Sequence, residues 1–259
     1  PGSGRGRGRF FPAAEAGLFV HGAPATLALL ALTGLLALAF LLAVLKKKEG
    51  LDDFLPAFGS PGSGQMTVLT AAGFLLFAAG GLGMQEGFQG LGLWRANPAM
   101  YQLSIPGTQL LAGVLCVLAA FGVLLLGRMA YRGALNGAGC FLSAFPALAG
   151  LVWVFSAHLK HGTEPVLMKY GFGLFAALLL TLAHYCVAGF LYGKPRPRGT
   201  LFFALTGGAL GITSLADGPD LFTAVATAAF SLSALGFARA LLAGPWPERM
   251  PPPEEEEQE

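Results

Sequence analysis

A chain of 259 residues with 54% hydrophobic and only 12% charged residues has half the charge of an ordinary soluble domain. Its formal net charge of +2 gives nucleic acid nothing to hold, because the cations stand at the ends of apolar runs and form no patch. A soluble globular fold is thereby excluded, and the lipid bilayer is the partner that the composition selects.

The opening, "PGSGRGRGRF", carries Arg5, Arg7 and Arg9 and begins with proline, so residues 1–12 read as a truncated or foreign leader. The following stretch, Phe10–Phe19, is too short to cross a bilayer and contains Pro12 and Glu15. Residues 1–25 are therefore expected to form an extracytoplasmic N-terminal segment. Beyond them the apolar runs have the length of spans, and no alternating strand pattern of a membrane barrel competes. An all-α bundle over 26–243 with seven spans is predicted: 26–45, 65–83, 108–127, 138–158, 166–192, 200–215 and 221–242. The sixth is the shortest and is weakened by Gly207, Gly208 and Gly211. The tail 244–259, "GPWPERMPPPEEEEQE", is proline-rich and acidic and reads as a disordered cytoplasmic extension.

Lys and Arg fix the expected orientation. Lys46, Lys47 and Lys48 follow span 1, Arg128 and Arg132 follow span 3, and Lys194, Arg196 and Arg198 follow span 5. Arg239 and Arg249 flank the end of span 7. The alternate connections hold only Arg95, Lys160 and Lys169. This places the N-terminus outside and the C-terminus inside a bacterial cytoplasmic membrane; only Arg5, Arg7 and Arg9 disagree. The connection after span 2, "QEGFQGLGLWRANPAMYQLSIPG", reads as the longest external loop, with Phe88, Leu91 and Trp94 in the headgroup layer. Trp153 and Tyr170 mark the outer aromatic belt, and Tyr131, Tyr192 and Trp246 the inner one.

Chemistry-bearing residues are few. In "SAHLKHGTEPV" the side chains of His158, His161 and Glu164 stand three residues apart, a candidate metal set. Plainer roles also account for this stretch. Lys160 and His161 complement exposed carbonyls at a helix end, Gly162 suits a C′ position, and Thr163, Glu164 and Pro165 suit a helix start. Zinc needs three converging ligands, and Glu164 is rotated off the histidine face, so a third ligand would come from His21, Glu86, Asp217 or Asp220. The turn is the favoured reading. His184 lies 18 residues into span 5, ~27 Å from the span's start, so it cannot share a haem with His158 and is expected to hydrogen-bond between helices. Cys116, Cys140 and Cys186 lie inside apolar runs without a C-x-x-C pair. No cofactor is expected.

The seven-span, N-outside topology resembles that of retinal proteins and heptahelical receptors, but span 7 has no lysine and span 3 no carboxylate. Intramembrane proteases and driven pumps need buried nucleophiles, carboxylates or relays that the spans lack. Small-residue stripes are present instead: Gly139, Ser143 and Ala147; Gly207 and Gly211; Thr227, Ser231, Ala234 and Ala238. They serve packing or a contact with a protein partner or a second copy. Breaks at Gly80–Gly81, Pro146 and Gly207–Gly208 in the even spans make Ser143, Pro146, Gly207, Gly208 and His184 the candidate solute-binding residues. The leading expectation is a non-enzymatic membrane component (an anchor, scaffold or accessory subunit). A small-solute facilitator around spans 2, 4 and 6 is the alternative, and a metal-dependent enzyme using the histidines is third.

Overall fold

The computed structural model describes residues 13–14, 18–19, 24–45, 51–59, 63–161 and 167–243. Its elements in chain order are two short paired strands, β1 (Ala13–Ala14) and β2 (Leu18–Phe19), followed by nine α-helices among the described residues. These are α1 (Pro24–Leu45), α2 (Phe54–Phe58), α3 (Ser63–Ala96), α4 (Ser104–Arg132), α5 (Gly137–Leu142), α6 (Phe145–His161), α7 (Leu167–Gly189), α8 (Pro197–Ser214) and α9 (Leu221–Ala243). The all-α membrane bundle is therefore as expected. Six segments are long and apolar enough to cross a bilayer: Ser63–Ala96, Ser104–Arg132, Gly137–Lys160, Gly171–Gly189, Pro197–Asp217 and Leu221–Ala243. The expected first span lies in α1, whose apolar stretch, Leu30–Leu45, is shorter than these.

The six segments close into a ring. α3 packs on α4, α4 on α6, α6 on α7, α7 on α8, α8 on α9, and α9 returns to α3. α1 lies outside against α8, with Leu32, Leu35, Leu38 and Leu42 all about half exposed or more. Such a surface suits lipid, where leucine gains nothing from withdrawal into protein. Close approach inside the ring is made by residues without side chains. A Cβ at Gly113 of α4 would sit 2.9 Å from the Gly80 carbonyl oxygen of α3. One at Gly87 would sit 2.8 Å from Leu110 Cα, and one at Gly207 3.0 Å from Leu180 N.

Two local expectations are corrected and one is met. The supposed loop after span 2 is helix up to Ala96, so α3 runs 34 residues, ~51 Å, longer than a bilayer core is thick. The reason lies in its glycines: Gly80, Gly83, Gly87 and Gly90 are spaced three and four apart and face α4, where they act as a packing stripe and not as loop punctuation. Span 4 is one crossing, Gly137–Lys160, with the expected break near Pro146: it divides into α5 and α6 at Ser143 and Ala144. The Leu142 carbonyl, which has lost its helical donor to Pro146, lies against Gly122 of α4, and Pro146 Cδ sits 3.3 Å from a Cβ at the same glycine. Finally, Trp153 is not a belt residue: it is buried in the ring, stacked on Phe230 with centroids 5.5 Å apart. Tyr131 and Tyr192 are exposed, whereas Tyr170 and Trp246 fall outside the described side chains.

Candidate functional site

Polar chemistry gathers at one end of the ring. Glu86 comes from the extension of α3, Gln109 from the first turns of α4, Ser156 and Lys160 from the last turns of α6, and Asp220 from the residue before α9. Ser156 Oγ donates to Gln109 Oε1 at 2.9 Å, and Gln109 Nε2 donates to Glu86 Oε2 at 3.1 Å. Lys160 Nζ donates to Asp220 Oδ2 at 3.1 Å and lies 3.8 Å from Glu86 Oε2. Four elements that are distant in sequence are thus tied by one chain of hydrogen bonds and ion pairs. Asp220 also caps α9, accepting from Thr223 N at 3.0 Å. Burial pushes its carboxyl up, but the Thr223 N–H and the Lys160 ammonium outweigh that and hold it below the usual carboxylate range.

At the opposite end, residues 51–59, which include α2, pack on the ring. Leu51, Phe54, Ala57 and Phe58 are buried there. The Phe58 ring meets Phe190, just beyond α7, at 5.0 Å and Phe237 of α9 at 5.5 Å, both edge to face.

Between the two ends runs an aromatic column. Phe58 touches Phe237, Phe237 lies 6.4 Å from the His184 ring, His184 lies 5.1 Å from Phe230, and Phe230 stacks on Trp153. His184, buried on α7, places Nδ1 2.8 Å from the Leu180 carbonyl oxygen and Nε2 2.8 Å from Ser233 Oγ of α9. A bare lone pair on Nδ1 would face that carbonyl, so Nδ1 carries the proton and donates. In the neutral ring Nε2 then accepts from the Ser233 hydroxyl. Ser233 Oγ also lies 3.1 Å from the Phe230 carbonyl oxygen, to which the hydroxyl donates whenever Nε2 is protonated. Trp153 Nε1 is buried with no hydrogen-bond partner among the described residues.

The residues singled out in the sequence are not assembled into one place. His184 is in the axial column. Ser143 is buried at the α5–α6 break, where its Oγ donates to the Cys140 carbonyl at 2.6 Å, and Pro146 is buried beside it against α4. Gly207 and Gly208 of α8 meet two different neighbours, Leu179–Leu180 of α7 and Leu235 of α9. His158 is exposed at the end of α6. The side chain of His161, and Glu164 altogether, lie outside the described residues, as does the tail from 244 onward. Among the described residues no three His, Cys, Asp or Glu side chains are grouped to hold a metal.

From sequence alone, Glu86 and Asp220 count only as spare metal ligands and Lys160 only as a helix-end charge. Their union is detectable in part: each stands within a few residues of a span end on the same predicted side. No known protein family, curated protein or solved structure matches this chain.

Proposed function

We propose that this protein is a non-enzymatic component of the bacterial cytoplasmic membrane, a scaffold or anchor whose work is done by a closed, rigid bundle. The observation that carries this reading is the way its glycines are used. Gly80, Gly87, Gly113, Gly122 and Gly207 each bring a neighbouring element to backbone or Cβ distance, and Gly211 faces the Ser231 hydroxyl, so these glycines are consumed in contacts within the chain. The Ser233–His184 pair is buried inside the ring, with the second imidazole nitrogen on a backbone carbonyl and not on a carboxylate, and Lys160, Glu86 and Asp220 satisfy one another as a structural tie. The membrane topology proposed with this reading has the Lys160 end outside and the α2 end in the cytoplasm, following the basic residues that flank spans 1, 3, 5 and 7.

The test is twofold. Purified protein in proteoliposomes should give no flux of small sugars, amino acids or inorganic ions above that of empty vesicles. In intact cells a cysteine at Asn97 should react with an impermeant maleimide and one at Gly193 should not. Reversed labelling would overturn the topology, and reproducible uptake would overturn the scaffold.

A second reading, a small-solute facilitator, is favoured by one specific feature. The two ends of the ring carry different chemistry, ion pairs at one and aromatic rings at the other, and among the described residues the column between them holds the unpartnered indole N–H of Trp153. A buried donor without an acceptor is costly in a membrane interior and marks where a polar solute would be met. Uptake that disappears in Trp153→Phe while the fold is retained would establish this reading over the first.

A further inference from the structure

α2 has no place in the scaffold reading, which needs only the long helices. It is a five-residue helix, far below the length at which a helix stands by itself in water. Its backbone bonds are internal, from Ala57 N to the Asp53 carbonyl and from Gly59 N to the Leu55 carbonyl. Asp53, its N-cap, makes no capping bond with its side chain. All five of its side chains are apolar, so what they offer the ring is apolar contact, through Phe54 and Phe58 and the small Ala57 between them. Asp52, Asp53 and Pro56, on its other side, are exposed.

What lies beneath is the end of the aromatic column that leads to His184. Phe237, on which Phe58 rests, is the next ring to His184, and His184 bonds Ser233 across α7 and α9. An apolar cover thus sits over a buried pair in which the Ser233 hydroxyl has two acceptors within reach, His184 Nε2 and the Phe230 carbonyl.

We propose that α2 is a reversible plug whose undocking admits water to the His184–Ser233 pair from the α2 end. The forces in play allow it. The side chains of the plug are held by apolar burial, so its release costs a local opening and leaves the ring's own glycine contacts intact. Undocked, it removes the Phe58 ring from Phe237 and Phe190 and uncovers that end of the aromatic column. The ion-pair lock at the other end is untouched by the same motion, so the ring opens on one side only. Undocking does not depend on whether any solute passes.

The experiment reads His184 directly. The full chain in detergent is treated with diethyl pyrocarbonate at neutral pH, and carbethoxylation of each histidine is followed by peptide mass spectrometry, with exposed His158 as the internal reference. In the wild type, His184 should react at least ~10-fold more slowly than His158. Phe58→Ala removes the contacts to Phe190 and Phe237 and should raise the His184 rate at least ~10-fold without changing that of His158. Phe58→Leu keeps an apolar plug and should give a smaller rise, which preserves the test if the alanine variant does not fold. Phe121→Ala, an equal truncation on the outside of α4, should leave His184 as slow as in the wild type. A wild-type His184 as reactive as His158, an unchanged rate in both folded Phe58 variants, or an equal rise in Phe121→Ala would overturn the plug.

Discussion

Asp220 holds two positions at once, as the cap of α9 and as the nearest partner of Lys160, and the two can be separated by mutation. Lys160→Ala removes a pair whose side chains are 38% and 32% exposed, so it should cost only about 0.5 kcal/mol. Asp220→Ala also strips the Thr223 N–H of its acceptor and should cost about 1–2 kcal/mol, measured by denaturant unfolding in detergent. Because the folded carboxyl is held below its ordinary value, its contribution is fully present above about pH 5, a unit above the unfolded value. It is lost as pH falls through the lowered folded value. The difference between wild type and Asp220→Asn should therefore be constant from about pH 5 to 7 and shrink in stronger acid. A difference that grows in acid would contradict the assignment.

For the elements, the decisive variable is how near two backbones come. Gly113→Leu would force a side chain into the space where a Cβ already lies 2.5 Å from Met84 N, so α3 and α4 must separate. The expected loss is about 3 kcal/mol or more, or failure to fold, read as a lowered melting temperature in detergent. Gly81→Leu, a change at a glycine with open space around it, should be neutral within about 0.5 kcal/mol. Pro146→Ala is expected to leave the α5–α6 break in place, since Gly122 accommodates the Leu142 carbonyl whether or not a helical donor returns. Continuous amide protection from Ala138 to Ser156 in hydrogen exchange would contradict that. These elements also mark what is legible in the sequence. Apolar length locates all six spans and the first helix, because burial of backbone groups in lipid leaves no alternative to helix. It fails where apolarity stops but helix does not. The Gly83–Gly90 stretch looks like a loop until its three- and four-residue spacing is recognised. α2 is invisible because two phenylalanines in a short connection carry no periodicity. The polar tie is hidden for another reason: Glu86, Gln109, Ser156, Lys160 and Asp220 are brought together by ring closure, which no local pattern encodes.

For the whole molecule, everything rests on α9 returning to α3. Without that contact there is no ring, α2 has no mouth to cover, and Asp220 has no reason to lie near Glu86. The contact offers a direct geometric test. A Cβ built at Gly236 of α9 lies 3.0 Å from Val68 Cγ1 of α3, about the separation of a Cβ from the far sulfur of a disulfide. The double variant Val68→Cys and Gly236→Cys, oxidised in membranes with a mild catalyst, is expected to give an intramolecular disulfide between the α3 and α9 peptides in most molecules. The protein should stay monomeric on a denaturing gel, and each single variant should give no such peptide. Absence of the linked peptide in the folded double variant, or its recovery only between two chains, would contradict the closed ring.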